Sequence, residues 1–445
     1  MAFGGLCRSL MLNPTPCRGA AIRRTPPVVA VMQRINGSNR SRRPAASASA
    51  PLPGGAMPEA LTILYFGNDW SAENRTSSHH VARWLAARYR VIYIECPGLR
   101  APKGTGRDLR KVVAKIRLAL SSPRPQPEGP LVQTLLQIPL HRFGWIRRLN
   151  RHLIRLSLQR LLGRLGVRAT VTWFVVPHLV SVAGNLGEQI SVYYCIDDYA
   201  SLPDVDVAAV RAMDEELTRR ADLVFVASET LLEAKRRLNP ETYVAPHGVD
   251  FAHFAQAQNP ELPVPADVAT LPRPIIGFFG LIERWIDLGL VDYLAGQRPE
   301  WTFLMIGRVA MPEANVPRRP NLVYLGRRPY ETLPAYGKTF AAALIPYHLT
   351  PQVLHANPIK LREYLAMGKP IVSVSTPEID KFAAHVRIGR NREEILAHLD
   401  AAVGTGMTAA EVVAQTELAS TMTWDANLRR VLERVEARLG SRLEA

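Results

Sequence analysis

In the run "NPIKLREYLAMGKPIVS" (357–373), Lys360 and Glu363 stand three residues apart, and residues so spaced share one face of a helix. A carboxylate in that place can accept two hydroxyl hydrogen bonds, and an ammonium beside it is a point charge for an anion. Asn357 is a good N-cap, Pro358 suits the first helical position, and Gly368 followed by Pro370 ends the helix. The spacing predicts a helix of about three turns that feeds a buried strand, "IVSVS". Its first turn, following Pro358 at Ile359 and Lys360, would offer unpaired N–H groups to an anion. A surface helix carrying a weak, solvated Lys–Glu pair accounts for the same residues.

Other residues with chemical capacity follow apolar runs. Gly67 ends "LTILYFG", and "GNDWSAENRTSSHH" after it brings Asn68, Asp69, His79 and His80. The two histidines also fit a helix start with one ring buried and one exposed. His178 follows "TWFVVP" at the carboxyl end of a strand. Asp197 and Asp198 follow "SVYYCI", where one of them could stabilise charge at a reacting centre or cap the next segment. No His/Cys cluster has zinc spacing and no Asp-x-Asp pair is flanked as a metal site requires, so metal-independent chemistry is expected. Two adjacent acids are not the spaced pair of a glycoside hydrolase.

The elements that must position these groups alternate. Strands are read at 61–67, 90–95, 169–177, 191–199, 223–228 and 241–250, with helical segments between. Residues 255–273 hold four prolines and read as a linker. A second alternation follows, with strands at 274–280, 301–307, 321–326, 341–347 and 370–375, and a final helix near 424–440. The expected fold class is α/β: two Rossmann-like, doubly wound domains facing across a cleft, with ligands beyond the carboxyl ends of the strands. The expected boundaries are a tail at 1–57, a first domain at 58–254, the linker, a second domain at 274–425 and a C-terminal helix at 426–445.

Of 445 residues, 47% are hydrophobic, and the formal charge is +16. It is unevenly spread. Residues 1–58 hold eight Arg and no acid, and 100–168 hold sixteen Lys/Arg against two acids, or +14. The remainder is 16 − 22 = −6. The tail is expected to be disordered, and either a misassigned start ahead of Met57 or a targeting segment. In 107–168, Trp145, Leu149, Leu153 and Leu156 track one helix face and Arg148, Arg151 and Arg155 another. That composition fits an anionic membrane surface, or a solvated helix covering the sheet. An aromatic platform for nucleic acid is missing from the stretch, so no nucleic-acid partner is expected. Four cysteines without disulfide or metal spacing suggest a cytoplasmic setting. No apolar run is long enough to span a bilayer uninterrupted.

"NLVYLGRRPYETLPAYGKTFAAALIPY" with "HANPIKLREYLAMGKPIVS", and "RADLVFVASETLLEAKRRLNPETYVAPHGVDFAHF", resemble GT-B glycosyltransferases of the family-4 type over roughly residues 60–440. The resemblance implies a second domain that binds a UDP- or GDP-linked nucleotide-sugar, with Glu363 on the ribose hydroxyls and Lys360 near the diphosphate. It implies transfer to a saccharide or lipid-linked acceptor with retention at the anomeric carbon, in envelope or exported polysaccharide assembly. It places Gly67, Asn68, Asp69 and His79 on the acceptor side. Where the family usually has a catalytic His before an Asp in the first domain, this chain has "CIDDY", so Asp197 and Asp198 stand as catalytic candidates, with His178 a further one from its place after a strand. The chain departs from the family pattern in several places. His355 stands where an acid is usual, eight residues before Glu363, and His247 stands where Asn is usual. The diphosphate Arg and Lys after Gly280 are out of register, leaving Arg284 and Arg308 as substitutes. A non-catalytic nucleotide- or partner-binding subunit and a nucleotide-sugar epimerase are the rival expectations.

Overall fold

Fourteen strands account for the apolar runs among the residues that the computed structural model describes, namely 61–70, 76–96, 123–126, 129–135, 144–168 and 170–443. The side chains of 144–148 and 443 lie outside that description. Residues Pro58–Ala445 form one compact unit; the expectations for 1–57 lie outside the described residues, as do those for 107–122.

The first sheet comprises β1 (Thr62–Gly67), β2 (Arg90–Glu95), β3 (Arg124–Pro125), β4 (Leu131–Thr134), β5 (Val171–Phe174), β6 (Ile190–Cys195), β7 (Leu223–Val226) and β8 (Thr242–Val244). Their order is β3-β4-β2-β1-β5-β6-β7-β8, parallel throughout except for β3. The second comprises β9 (Ile275–Phe279), β10 (Thr302–Ile306), β11 (Leu322–Gly326), β12 (Ala342–Ile345), β13 (Ile371–Val374) and β14 (Arg387–Gly389), all parallel, in the order β11-β10-β9-β12-β13-β14. Both orders reverse beside the first strand, so each lobe has a switch point: between β1 and β5, and between β9 and β12.

The central strands are continuous apolar runs because both faces of each sheet are covered; the edge strands β3 and β14 are short and more polar. On one face of the first sheet, Leu64, Phe66 and Ile92 pack under helices α2 (Gly144–Leu165) and α3 (Val207–Arg220). On the other, Ile63, Tyr65 and Val91 pack under α1 (Ser77–Ala86) and a C-terminal helix.

That last helix, Trp424–Leu443, starts two residues before the expected boundary and belongs to the first lobe. The chain leaves that lobe near Val249 and returns beside it: Val249 pairs with Thr423, and its amide donates to the Met422 carbonyl at 2.9 Å. Leu428, Val431, Leu432, Val435 and Leu439 are then buried against the first sheet, each worth roughly 1.5–3 kcal/mol.

Two expectations are corrected. Residues 255–273 are not a patternless linker: they hold a turn at Ala255–Gln258 and a short helix at Ala266–Ala269, and Ala257 and Val268 are buried in the second core. The prolines bound these turns rather than abolish them. In α2 the buried stripe is Ile154, Leu158, Leu161 and Leu162; Leu149 and Leu156 face outward at 40% and 47% exposure, while Leu153 is half-buried. The spacing was read correctly as amphipathic, but the sheet takes a different face.

Candidate functional site

Gly280 closes β9 at the second switch point, and the site is built around it. After β9 the chain runs alongside its neighbours: Ile282 pairs with Val309 in the loop after β10, and Ile286 pairs with Tyr347 after β12. Arg284 and Arg308 are therefore carried to the same carboxyl edge, both exposed. Gly307, at φ +146°, crosses so close to Gly280 that a Cβ there would lie 1.7 Å from the Gly280 carbonyl oxygen. The two loops can meet only through glycine.

Helix α6 (Ile359–Ala366) packs beneath this crossing. (Between α3 and α6 lie α4, Glu229–Arg236, and α5, Pro351–His355.) Lys360 Nζ lies 2.7 Å from Glu363 Oε2 and 4.7 Å from the centre of the Phe279 ring, next to Gly280. Glu363 is buried at 4% exposure; its Oε1 has no hydrogen-bond partner among the described residues. The carboxylate thus holds one cation and retains a free acceptor oxygen. Tyr364, on the same helix, accepts the Phe279 N–H at 3.1 Å and fixes α6 to β9. The Tyr347 hydroxyl is held un-ionised by burial and by the nearby Glu363 charge.

The predicted cap at 357 is different in the structure. The helix is eight residues long, Pro358 occupies the N-cap position, and Asn357 makes no capping bond. Its side chain instead accepts the His247 N–H at 3.1 Å and donates to Glu378 Oε2 at 2.7 Å. The cause is burial: at 3% exposure the amide takes the long-range partners packed around it. Gly368 does end the helix in a left-handed turn, at φ +61°.

Asn357 belongs to a strip of contacts that joins the lobes. His247, on the segment leaving the first lobe, donates from Nδ1 to the Asn357 carbonyl at 2.7 Å, which places its proton on Nδ1. Its Nε2 is buried with no hydrogen-bond partner, and burial pushes the ring's pKa down to about 4, so it is neutral. Glu378 also accepts the amide of Glu229, in the first turn of α4, at 3.1 Å. Ser228 donates to the His355 carbonyl at 2.7 Å. His355 is half-buried and its Nδ1 has no partner.

Asp197 is the fourth tie. It follows β6, and Gln352 of α5 donates to its Oδ2 at 3.1 Å. Burial pushes its carboxyl up to about 6. Asp198 accepts the Ser201 hydroxyl and stands at the start of the turn Tyr199–Ser201. His178 is buried four residues beyond β5 and shares a cavity lining with residues of α2 and α3.

On the first lobe, Tyr93 packs against Gly67 and donates to the Asn68 carbonyl at 2.7 Å. His79 accepts the Thr76 amide at 3.1 Å through Nδ1, and its Nε2 donates to the Asp69 carbonyl at 3.1 Å. This ring caps α1 and pins the loop; burial lowers its pKa. His80 stacks on Trp424 with centroids 5.1 Å apart. Glu95 was not foreseen: it holds the loop through the Trp70 amide at 3.0 Å and pairs with Arg124 at 2.7 Å. Gln352, Glu378 and Tyr364 were also missed, since their partners are far away in sequence.

No family model matches the chain. A curated Bacillus subtilis (strain 168) protein, TuaH, named as a teichuronic acid biosynthesis glycosyltransferase, is 25% identical over 347 residues, 72% of this chain and 82% of that protein. Among solved structures, Anabaena HepE in complex with UDP matches with a TM-score of 0.61 and 13% identity, over 85% of this chain and all of that one. An E. coli trehalose-6-phosphate structure bound with UDP-2-fluoro glucose matches with a TM-score of 0.60 and 12% identity, over 84% and 98%. Sucrose-phosphate synthase from Thermosynechococcus elongatus matches with 0.61 and 12%, over 86% and 100%. The fold is that of the GT-B glycosyltransferases, here in a divergent sequence.

Proposed function

We propose that this GT-B chain is a glycosyltransferase that moves a sugar from a nucleoside-diphosphate sugar, UDP- or GDP-linked, to an acceptor hydroxyl. The observation that carries the reading is the Lys360–Glu363 pair, 2.7 Å apart, with Glu363 buried and Lys360 half-buried beside Gly280 at the switch point of the second sheet. Glu363 Oε1 accepts a ribose hydroxyl there, in a charge-assisted bond. The first turn of α6 at Ile359 and Lys360, behind the N-cap Pro358, faces the diphosphate, with Arg284 and Arg308 carried to the same edge. The titles of the UDP-bound neighbours support the same donor class.

In the transfer, the acceptor oxygen forms a bond to the anomeric carbon while the bond to the β-phosphate oxygen breaks. The hydroxyl proton leaves with the diphosphate. Lys360 and the two arginines stabilise the departing charge, which requires neither a metal nor a cofactor beyond the donor. Asp197 orients the acceptor from the first lobe, whose loop at Gly67, Asn68 and Asp69 lies on the acceptor side. Retention at the anomeric carbon follows from the family resemblance. The relative's name supports a role in envelope or exported polysaccharide assembly.

Peripheral attachment to the inner face of the membrane is part of this reading. Among the described residues no helix is long and apolar enough to cross a membrane. The outer face of α2, with Leu149 and Leu156 among exposed arginines, fits an anionic lipid surface. The test is turnover. The full chain with UDP- and GDP-sugars and an acceptor panel releases nucleoside diphosphate only when acceptor is present, and the product's anomeric coupling by NMR matches the donor's. Donor binding without release against every acceptor would favour a binding subunit, for which His355 in place of an acid is the specific argument. Donor isomerisation without acceptor would mark an epimerase.

A further inference from the structure

A cavity of about 440 Å³ opens between α2, the turn Pro177–Val182 after β5, and α3. His178, four residues beyond β5, and Arg220, three residues before β7, line it. Arg151 and Arg155, one helical turn apart on α2, line it too, together with His152. Glu216 is the acid in the lining, and it is already committed: Arg220 Nη1 lies 3.2 Å from its Oε1, and Arg220 also donates to the Ala183 carbonyl. Arg151 and Arg155 have no hydrogen-bond or ion-pair partner among the described residues. The cavity therefore carries two uncompensated guanidinium groups, whose planar forks match phosphate oxygens. Alongside, Leu149 and Leu156 expose apolar surface on the same helix.

We infer that this cavity is a phosphate subsite of the acceptor lobe: it holds the phosphate of an acidic acceptor whose reacting hydroxyl lies in the cleft. The inference rests on the proposed function for the word acceptor, and on the cavity alone for the phosphate. The same chemistry is offered by a phospholipid or lipid-phosphate headgroup and by a free phosphorylated saccharide. Neither Arg151 nor Arg155 touches the Lys360–Glu363 site.

The test titrates inorganic pyrophosphate by calorimetry into the full chain with UDP held at saturation, so that any diphosphate site on the second lobe is closed. The Arg151→Ala/Arg155→Ala variant is run beside it, with thermal unfolding as the folding control. The expected result is a dissociation constant at least tenfold higher in the variant, with UDP affinity unchanged. Equal affinity in the two proteins overturns the inference and leaves the donor reading standing. Absence of UDP binding with retained, Arg-dependent pyrophosphate binding defeats the donor reading and supports the subsite. Sedimentation with vesicles of phosphatidylcholine, with and without phosphatidic acid, separates the sources. Arg-dependent binding to the phosphatidic acid vesicles assigns a lipid headgroup; pyrophosphate binding without it assigns a soluble phosphorylated acceptor.

Discussion

Asn357→Asp separates a local cap from a buried inter-lobe tie. At an N-cap, Asn and Asp are nearly equivalent, and the change would be close to neutral. In the structure, the amide nitrogen of Asn357 sits 2.7 Å from Glu378 Oε2, and both residues are buried, at 3% and 5% exposure. Lys381, 2.7 Å from Glu378 Oε1, already serves that carboxylate. The substitution sets one carboxylate against another, and the pair can persist only by sharing a proton. Holding that proton at pH 7 on a group with an ordinary pKa near 4 costs about 4 kcal/mol, or roughly 8–16 °C of Tm for lobes of this size. The sign follows from linkage. The folded pKa of the pair is raised above its unfolded value, so the folded state binds more protons. The deficit is absent near pH 4 and grows with rising pH, by up to about 1.4 kcal/mol per unit, until the folded pKa is passed. Thermal unfolding of wild type and variant from pH 4.5 to 8 measures the difference directly. A variant within about 0.5 kcal/mol of wild type at every pH would refute the tie.

Three further outcomes follow from the geometry. Gly307→Ala puts a Cβ 1.7 Å from the Gly280 carbonyl oxygen in a left-handed backbone; denaturant unfolding should show a loss of more than about 3 kcal/mol, or no folded protein. His79→Ala removes the cap of α1 and should cost about 1–2 kcal/mol, while the pH profile of transfer stays unchanged, since the ring is structural. Asp197, with its carboxyl pushed up to about 6 by burial, binds more protons folded than unfolded between pH 4 and 6. Asp197→Asn should therefore gain stability over wild type as pH rises through that window, and it should remove any inflection of kcat near pH 6.

Eleven of the fourteen described strands were legible because each is an apolar run, often closed by Gly, and parallel sheets bury both faces; Arg124–Pro125, Leu131–Thr134 and Arg387–Gly389 were missed, being too short and too polar to stand out. The Lys360–Glu363 pair was legible because helix spacing alone brings the residues together. Partners across the lobes were not. Nothing local distinguishes an Asn that caps a helix from one held by His247 and Glu378, and Gln352 gains its meaning only opposite Asp197. The amphipathic pattern of the last helix announced a buried face but not the lobe that buries it, because its apolar residues would suit either sheet. In α2 the excess of leucine left the choice of face to the sheet, which takes Ile154 and Leu158 and leaves Leu149 and Leu156 outside.

The most direct test of the donor site is calorimetric titration of the full chain with a panel of UDP- and GDP-sugars, beside Glu363→Ala. The account predicts saturable binding of one donor class and a loss of at least severalfold in affinity for the variant, since a charge-assisted bond to a ribose hydroxyl is worth about 1.5–3 kcal/mol. Folded wild-type protein that binds no nucleotide, or a variant that binds as tightly as wild type, would contradict it.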